Sequence, residues 1–557
     1  MFPTIAKVLL LSVVTPIALG LVETPTEKIH FKASTSNDVI LSFNPSPNIV
    51  IKSISQQSFA TRGDKINQLV ANLEQNTKTS QQIIHDYLTS NNIAFIPIWI
   101  TNQISVKNVD LQLLEELSKF EDIIAIEEDL LIPVPQELVA DQPTDRIETR
   151  RDESVVEWGI QIIRANEARF LINSSGLTHD EVRVGIIDTG IRLTHEAIED
   201  KYYGTYGWFD PYGLTDSPDD GNGHGTHVTG TILGSKGIGV APFAKWMGCK
   251  GCDTSTCAVT ALLLCGQYIT CPTLPDMSAK NCTLAPHVVN NSWGGGQNVS
   301  WYDVVINAWH EVGIIPVFAA GNYGPLCSTV SSPSDRNVIS VGATTSTDTI
   351  ASFSGRGPAI DGGMKPDISG PGDLVLSSTN VSDTSYGLYR GTSMATPHIV
   401  GVIAIMKSIN INLSYEEVKY WLENGVDTTI LQSQNIACGG IPDNQFPNPF
   451  FGHGRVNAFK SVSPMLLQLS TTTTTTTTTT TPRTTPRNPN TNSGVTLGAA
   501  KWLVLLLTGF AFSQVVRTSL SLGWSFVAGD PTTKISLDPP IVQLGVINSL
   551  GSDAGNG

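Results

Sequence analysis

The chain has 557 residues, of which 40% are hydrophobic, so it is long enough for more than one folded domain. Its 34 Lys and Arg residues against 50 Asp and Glu residues give a net charge of −16, which disfavours nucleic acid and anionic membrane surfaces as main partners. Ordinary glycine and proline contents, 49 and 32 residues, exclude a collagen-like or mostly disordered chain.

Residues 1–20 have the order of features that is typical of a secretory signal peptide. Lys7 is followed by the apolar run Val8–Val14 and then by the small residues Ala18 and Gly20. This apolar run is too short to cross a bilayer, and we expect no stable membrane span. A buried N-terminal strand is the alternative. A signal peptide implies a secreted, extracellular protein in an oxidising environment, where disulfides persist.

Residues 21–150 are predicted to form a small α+β domain with a linker. Apolar periodicity predicts alternating strands and helices, an order that indicates a ferredoxin-like sheet with helices on one face. Residues 133–157 are rich in proline, then charged, and predict an exposed linker. The predicted elements are strands Val39–Phe43, Ile93–Ile100 and Ile123–Ile126, and helices Ile66–Leu88 and Val109–Phe120.

Residues 151–463 have a different pattern, in which short apolar runs end at glycines and alternate with helix-like stretches. This pattern predicts an α/β domain of three layers, a parallel sheet covered by helices on both faces. In such sheets, functional side chains lie at the carboxyl ends of the strands.

Four polar motifs of this domain are predicted at strand ends or helix starts. Asp188 follows a buried strand, His224 and His227 begin a helix, Asn322 ends another strand, and Ser393 lies at a loop-to-helix junction. Each alone has an ordinary interpretation as a cap or turn residue. Together they supply what acyl transfer requires: a nucleophile, a base, a carboxylate that orients the base, and donors for an oxyanion.

The sequences around these residues resemble those of the subtilisin-like serine peptidases, the subtilase family. The matching segments are Ile-Ile-Asp188-Thr-Gly, Gly-His224-Gly-Thr-His-Val-Thr-Gly, Ala-Ala-Gly-Asn322-Tyr-Gly and Gly-Thr-Ser393-Met-Ala-Thr-Pro-His. The resemblance extends from Trp158 to about Phe459, and residues 38–129 resemble the inhibitory propeptide that precedes this peptidase domain. The Asp, His, Ser order is itself a known feature of subtilisin.

The resemblance implies a role for each matching residue. Ser393 is the nucleophile, His224 the general base, and Asp188 the residue that orients it; Asn322 completes the oxyanion hole, and His227 is a second, non-catalytic histidine. The residues placed along the substrate are Ser292, Trp293, Gly294 and Gly321.

The predicted function is therefore a secreted serine endopeptidase that is made as a zymogen. The expected partners are protein or peptide substrates and the chain's own propeptide, which acts as an intramolecular inhibitor. The protein is expected to be a monomer and to require no cofactor.

Structural calcium is frequent in the family, but Asp216, Asp219 and Asp220 are interpreted as a solvated turn. Tyr323 follows the oxyanion residue without a nearby carboxylate, which favours an apolar or aromatic residue before the scissile bond. The alternatives are a non-catalytic binding module on the same fold and a cytosolic zinc enzyme.

Six of the eight cysteines lie between Cys249 and Cys282. The pair Cys249 and Cys252 alone fits a zinc ribbon or a redox pair, but a second such pair is missing and a signal peptide is present. Three disulfides in or near this insert are therefore predicted, in a pairing that the sequence leaves open. Cys327 and Cys438 are expected to pair with each other. Sequons occur at six asparagines, of which Asn290, in a predicted buried strand, is the poorest acceptor.

Residues 464–501 are predicted to be a low-complexity linker, because eleven consecutive threonines, Thr471–Thr481, are followed by prolines. Residues 502–557 form a tail with the apolar patch Trp502–Phe512, which is shorter than the ~20 residues of a membrane span. The alternatives for this tail are a signal for a glycolipid anchor at the cell surface, a misassigned C-terminus, and a loose tail or short hairpin.

Overall fold

The computed structural model describes residues 29–30, 37–134, 155–175, 181–213 and 215–475, with side chains from residue 37 to residue 468 within these ranges. The predicted signal peptide, the C-terminal tail, and most of both predicted linkers lie outside the described residues.

The N-terminal part is a small α+β domain. Its strands are β1 (Ile29–His30), β2 (Val39–Phe43), β3 (Phe95–Ile98), β4 (Gln103–Val106) and β5 (Ile123–Glu128), followed by the separate β6 (Leu131–Pro133). Its helices are α1 (Pro47–Ile54), α2 (Arg62–Ser90) and α3 (Leu111–Ser118). The sheet order β1-β5-β2-β4-β3, with β2 antiparallel to β4 and β5, agrees with the predicted ferredoxin-like domain.

The prediction for this domain missed four elements, α1 and the strands β1, β4 and β6. Helix α1 has Pro47 in its first turn and Ser46 as its N-cap, which are ordinary start signals for a helix. Strand β4 begins directly after Asn102, whose positive φ of 54° turns the chain back along β3. The long helix α2 begins earlier than predicted, because Thr61 and Asp64 form a capping box.

The larger domain follows the pattern expected of an α/β protein. Its strands are β7 (Arg183–Asp188), β8 (Trp208–Phe209), β9 (Lys245–Lys250), β10 (Thr256–Ala258), β11 (Val288–Asn291), β12 (Ile315–Ala319), β13 (Ile339–Thr344), β14 (Ile368–Pro371), β15 (Val375–Ser378), β16 (Tyr386–Tyr389), β17 (Val426–Asp427), β18 (Ala437–Cys438), β19 (Ile441–Pro442) and β20 (Arg455–Val456). Its helices are α4 (Trp158–Ile162), α5 (Ala165–Ser174), α6 (His224–Leu233), α7 (Val259–Thr270), α8 (Asp303–Glu311), α9 (Thr392–Ile409), α10 (Tyr415–Asn424) and α11 (Ala458–Thr475), with short 3₁₀ turns at Glu199–Lys201 and Cys282–Leu284.

Nine of these strands form the central sheet, in the order β17-β20-β14-β13-β12-β11-β7-β9-β8. Neighbouring strands are parallel except β17 and β20. Helices α6 and α9 cover one face of the sheet, and α7 and α8 cover the other. The predicted three-layer α/β fold is therefore confirmed.

The winding of the sheet places a crevice at one edge. From β7 the chain adds β8 and β9 on one side, and then returns to add β11 to β14 on the other side. Ligands of parallel sheets bind where the winding reverses, outside the carboxyl ends of the strands. Here these are the ends of β7 and β11, which carry Asp188 and, one residue beyond the strand, Ser292.

All eight cysteines form disulfides, which confirms the disulfide prediction over a zinc site. Three lie in the insert and the fourth is the predicted pair Cys327–Cys438. The three insert pairs are Cys249–Cys265, Cys252–Cys257 and Cys271–Cys282. Asn290 is fully buried in β11, as expected.

Helix α11 crosses the predicted domain boundary at residue 463 and reaches Thr475, so the first threonines of the predicted linker are helical. Within the described residues, one helix, Thr392–Ile409, is long and apolar enough to cross a membrane, but its side chains are buried in the core of the larger domain.

Candidate active site

Asp188 ends β7 and His224 begins α6, and their side chains form a buried pair. His224 Nδ1 lies 2.7 Å from Asp188 Oδ1, and the two residues are 1% and 2% exposed. The same carboxylate oxygen accepts the Thr189 N–H at 2.8 Å. A carboxylate in this position holds the imidazole with a proton on Nδ1, so that Nε2 is the atom available to act as a base.

A glycine allows α6 to lie this close to the strand end. A Cβ atom on Gly225 would be 2.1 Å from the carbonyl oxygen of Gly190 and 3.0 Å from Asp188 Cβ. The Gly225 N–H also donates to Thr189 Oγ1 at 3.0 Å. Any larger residue after His224 would therefore push the imidazole away from its carboxylate.

Asp220 holds the loop that leads into His224. Its Oδ1 accepts the N–H groups of Asn222 and Gly223, and its Oδ2 accepts the N–H and hydroxyl of Thr226. Burial raises the pKa of this carboxyl, and these hydrogen bonds oppose that rise. The interpretation of Asp216, Asp219 and Asp220 as a solvated turn is therefore wrong for Asp220, which is 8% exposed.

The signal that was missed is local. Asp220 is followed by Gly-Asn-Gly, a composition typical of a turn in which a carboxylate accepts backbone N–H groups a few residues on. Asp219 is exposed, with its carboxylate 3.1 Å from Lys250 Nζ. Within the described residues, no three or more His, Cys, Asp or Glu side chains are grouped as metal ligands.

Ser393 is the second residue of α9 and is 2% exposed. Its Oγ donates to the carbonyl of Ser292 at 3.2 Å, and Ser292 Oγ donates back to the Ser393 carbonyl at 3.0 Å. Helix α9 packs against α6, which carries His224. A helix start leaves backbone N–H groups without an intrahelical acceptor, so the Ser393 N–H can serve a ligand.

Asn322 is oriented by its neighbours at the start of α9. Its Oδ1 accepts both the N–H and the hydroxyl of Thr392 at 2.9 Å. The Nδ2 group makes no hydrogen bond to the described residues, and Asn322 borders the same cavity as Ser393. The amide N–H and the helix N–H can therefore both donate to one oxygen atom in this cavity.

This cavity, of about 560 Å³, is shaped by glycines. A Cβ atom on Gly294 would lie 2.8 Å from the Ser332 carbonyl oxygen, and one on Gly321, whose φ is +95°, would lie 2.6 Å from Ser331 Oγ. Trp293 is 2% exposed, so its indole packs in the core and its backbone borders the cavity. The predicted substrate-lining residues Ser292, Trp293, Gly294 and Gly321 all lie along this cavity.

A segment of the chain itself lies in the cleft. Strand β6 pairs antiparallel with β10, Ile132 opposite Cys257, and the Val134 N–H donates to the Ser255 carbonyl at 2.9 Å. Val134 borders the cavity that contains Ser393. The linker predicted to be exposed from residue 133 is therefore bound, not solvated, at its start: Val134 is 7% exposed.

The N-terminal domain also docks against α7 and α8 of the larger domain. Arg62 donates to the carbonyl oxygens of Ala285, Pro286 and Val312, at 2.9, 2.6 and 2.8 Å. Burial, with a smaller effect of the nearby Arg183, lowers the pKa of Arg62 to about 9.

Two further contacts join the N-terminal part of the chain to the larger domain. Lys65 pairs with Glu311 at 2.7 Å, and Asp129 accepts the N–H of Thr260, in the first turn of α7, at 2.9 Å. The Asp129 carboxylate therefore lies at the positive end of the α7 dipole.

His227 is not part of the cleft chemistry. Its Nε2 lies 3.1 Å from the carbonyl oxygens of Val375 and Gly387, and its ring stacks on Tyr389. Burial, opposed in part by the Gly387 hydrogen bond, lowers its pKa to about 3. This environment fits a structural histidine.

The doubly covered parallel sheet and the polar groups at its carboxyl edge define the class of α/β serine peptidases. A family model described as "Subtilase family" matches residues 179–454. The chain belongs to the subtilase family, as its sequence motifs indicated, and the predicted class of enzyme, a serine-type endopeptidase, is confirmed.

Three relatives illustrate the extent of the similarity. Bacillopeptidase F of Bacillus subtilis (strain 168) is 35% identical over 55% of this chain and 22% of its own length. Subtilisin Savinase of Lederbergia lenta is 31% identical over 51% of this chain and 96% of its own length. A protein named extracellular serine proteinase, of Thermus sp. (strain Rt41A), is 32% identical over 45% of this chain and 57% of its own length. The match with Bacillopeptidase F thus covers about a fifth of that protein.

Proposed function

We propose that this protein is a secreted serine endopeptidase that is made as a zymogen and acts through Ser393, His224 and Asp188. The observation that carries the proposal is the buried contact of 2.7 Å between His224 Nδ1 and Asp188 Oδ1 at the start of α6. Helix α6 packs against α9, whose second residue, Ser393, borders the cavity together with Asn322. A buried imidazole oriented by a carboxylate is what a serine nucleophile requires.

In the proposed reaction, Ser393 Oγ leaves the Ser292 carbonyl and turns to His224. Hydrogen bonds of catalytic groups are often incomplete before substrate binds. His224 Nε2 takes the Ser393 proton as Oγ attacks the scissile carbonyl, and Asn322 Nδ2 and the Ser393 N–H stabilise the oxyanion. His224 then protonates the leaving amine, and a water molecule hydrolyses the acyl-enzyme by the same steps.

The N-terminal domain is proposed to be the inhibitory propeptide. The strand Leu131–Pro133 occupies the place of a substrate strand and leads towards Ser393, which supports this role. Backbone pairing of this kind gives affinity without a strong demand on sequence, so peptide and protein substrates are expected to bind in the same way.

The side chains around the cavity favour apolar substrates. No acidic residue borders it in the part of the chain that the structure describes, and Tyr323 lies at its rim. Ile132 is buried in the complex and lies close to Gly295, which supports a preference for an apolar residue in that subsite. An apolar or aromatic residue before the scissile bond remains our proposal.

Secretion is supported by the signal-like residues 1–20 and by four disulfides, which persist outside reducing compartments. The name of the Thermus relative, an extracellular proteinase, agrees with it. Attachment of the secreted protein to the cell surface through residues 502–557 is a separate proposal, on which the proposed peptidase activity does not depend.

The test is a set of alanine variants assayed on a peptide substrate. Ser393→Ala, His224→Ala and Asp188→Ala should each lower kcat by several orders of magnitude, and double variants should lose little more than the worst single one, a behaviour known from subtilisin. Only the unsubstituted protein should be labelled by a serine-directed phosphonylating reagent. Additive losses, or folded protein that binds peptide without turnover, would contradict the proposed mechanism.

A further inference from the structure

The part of the cleft that pairs with peptide is a very short edge strand. Among the described residues, β10 is three residues long and its only strand partner is β6. When the segment Leu131–Val134 leaves, β10 has no neighbouring strand to fix its backbone. A strand this short is not stable by itself in water, so another device must hold it in the binding conformation.

We propose that the disulfide Cys252–Cys257, together with the carboxylate of Asp253, is a positioning device that holds β10 ready to pair with an extended peptide. The disulfide closes a loop between residues five positions apart, and Cys257 is the middle residue of β10. Both cysteines are buried, at 2% and 0% exposure, so the loop is anchored to the core at both ends.

Asp253 fixes the backbone inside this loop. Its Oδ1 accepts the N–H groups of Ser255 and Thr256 at 2.7 Å each, and its own N–H donates to the Thr256 carbonyl at 2.8 Å. These bonds leave the Ser255 carbonyl on the cleft side, where it accepts the Val134 N–H. The turn therefore presents an acceptor to bound peptide in the free and in the occupied cleft.

The same loop is tied to the backbone around the proposed catalytic pair. The Cys252 N–H donates to the carbonyl of Asp188 at 3.1 Å, and Asn222 Nδ2 donates to the Thr254 carbonyl at 2.9 Å. Asn222 Oδ1 in turn accepts the His224 N–H at 3.1 Å. The loop thus sets the distance between the peptide-pairing strand and the start of α6.

This inference rests on the proposed function and adds the element that orders the peptide-binding edge. Ordering a loop when substrate binds costs affinity, and a loop that is already ordered avoids that cost. Only substrates long enough to pair with β10 gain from it. The disulfide is therefore expected to affect long peptides and to leave short ones nearly unchanged.

The test compares two chromogenic peptide anilides in the secreted, self-processed protein: one with two residues before the anilide, and one with five residues that reach β10. In Cys252→Ser/Cys257→Ser, kcat/KM for the long substrate should fall about 10-fold, through KM, whereas kcat/KM for the short substrate should stay within about two-fold. The matched control is Cys271→Ser/Cys282→Ser, which removes a disulfide that is not on the cleft edge and should leave the ratio of the two substrates unchanged.

A second pair of variants avoids dependence on the folding of the cysteine variant. Asp253→Ala should lower the long-to-short ratio in the same direction, and Asp253→Asn, which keeps an acceptor for both N–H groups, should restore it. An unchanged ratio in Asp253→Ala, or equal losses for both substrates in the disulfide variant, would overturn the inference. If the unsubstituted protein cleaved neither anilide, or if Ser393→Ala cleaved both equally well, the proposed function itself would be contradicted.

Discussion

At the scale of single residues, Asp220 holds the backbone from Asn222 to Thr226 and thus the position of His224. We expect Asp220→Ala to lower kcat about 100-fold, because a displacement of the base by about 1 Å costs this much. Asp220→Asn, which keeps one acceptor oxygen, should lose less. The measurement is kcat on a short peptide anilide.

The matched control is Asp216→Ala, at an exposed position of the same loop. It should change kcat less than two-fold, since surface substitutions usually have small effects. Equal effects of the two variants would show that the loop does not depend on the buried carboxylate.

The residues of the candidate site were predictable to different degrees. Asp188, His224, Asn322 and Ser393 lie in motifs whose spacing and context are visible in the sequence. The role of Asp220 was not predicted, because its partners are backbone N–H groups whose direction depends on the folded loop. Nothing in the sequence indicated that the Ser393 hydroxyl would donate to the Ser292 carbonyl.

At the scale of elements, the contact of α2 with the larger domain depends on Arg62. The three carbonyl oxygens that it contacts would lose their donor in Arg62→Ala, so we expect the cleaved N-terminal domain to dissociate more easily, by about 2 kcal/mol or more. The measurement is the time between self-cleavage and full activity, which should shorten.

Lys78→Ala, on an exposed position of the same helix, is the control and should leave that time unchanged. If Arg62→Ala activates at the rate of the unsubstituted protein, the guanidinium contributes no net affinity to the docking.

Among the helices and strands, the periodic ones were predictable from the sequence and the short ones were not. Helices α2 and α3 and the strands β2 and β5 follow from periodicity. Strand β6 does not, because it is three residues long, contains Pro133, and pairs with residues more than 100 positions later. The first threonines of the run are helical because they continue α11, which the sequence did not predict. The apolar residues Val462, Met465 and Leu466 of this helix are buried.

At the scale of the whole molecule, buried histidines make stability depend on pH. The pKa values of His227, His287 and His398 are lowered to about 3, 2 and 4, mainly by burial. In the unfolded chain a histidine titrates near 6.5, so below that pH the unfolded state binds more protons than the folded state. The free energy of unfolding should therefore fall as the pH falls from about 6.5 to 4.

Each of these histidines contributes a slope of up to about 1.4 kcal/mol per pH unit. Denaturant unfolding at several pH values measures the slope of the free energy of unfolding against pH. The protein used is Ser393→Ala, which prevents autolysis. His227→Gln should reduce this slope by up to about 1.4 kcal/mol per pH unit, which is the contribution of one proton. A slope that is the same with and without His227 would mean that this histidine is not kept neutral by the fold.

The whole chain is also expected to process itself. Because β6 leads towards Ser393, the first cut should fall between Val134 and Leu138, and a tethered segment favours cleavage in cis. N-terminal sequencing of the secreted protein locates the cut, and Ser393→Ala should retain the N-terminal domain.

The competing site is the dibasic pair Arg150-Arg151, which a separate protease could cleave. If the variant and the unsubstituted protein begin at the same residue within 133–157, another enzyme removes the domain and self-processing is excluded.

The central helix α9 has a consequence for the route by which the protein is made. Its 18 residues bury Ile399, Val402, Ile403 and Ile405 at the heart of the fold, and they are also apolar enough to lodge in a bilayer. A chain that is exported unfolded presents this segment to the translocation channel before any core exists to cover it. The polar first turns of the helix, with Thr392, Ser393, Thr396 and His398, lower its mean hydropathy. We therefore expect these polar residues to help an exported chain to pass through the membrane, and replacing Thr396 and His398 by leucine should leave part of the protein trapped there.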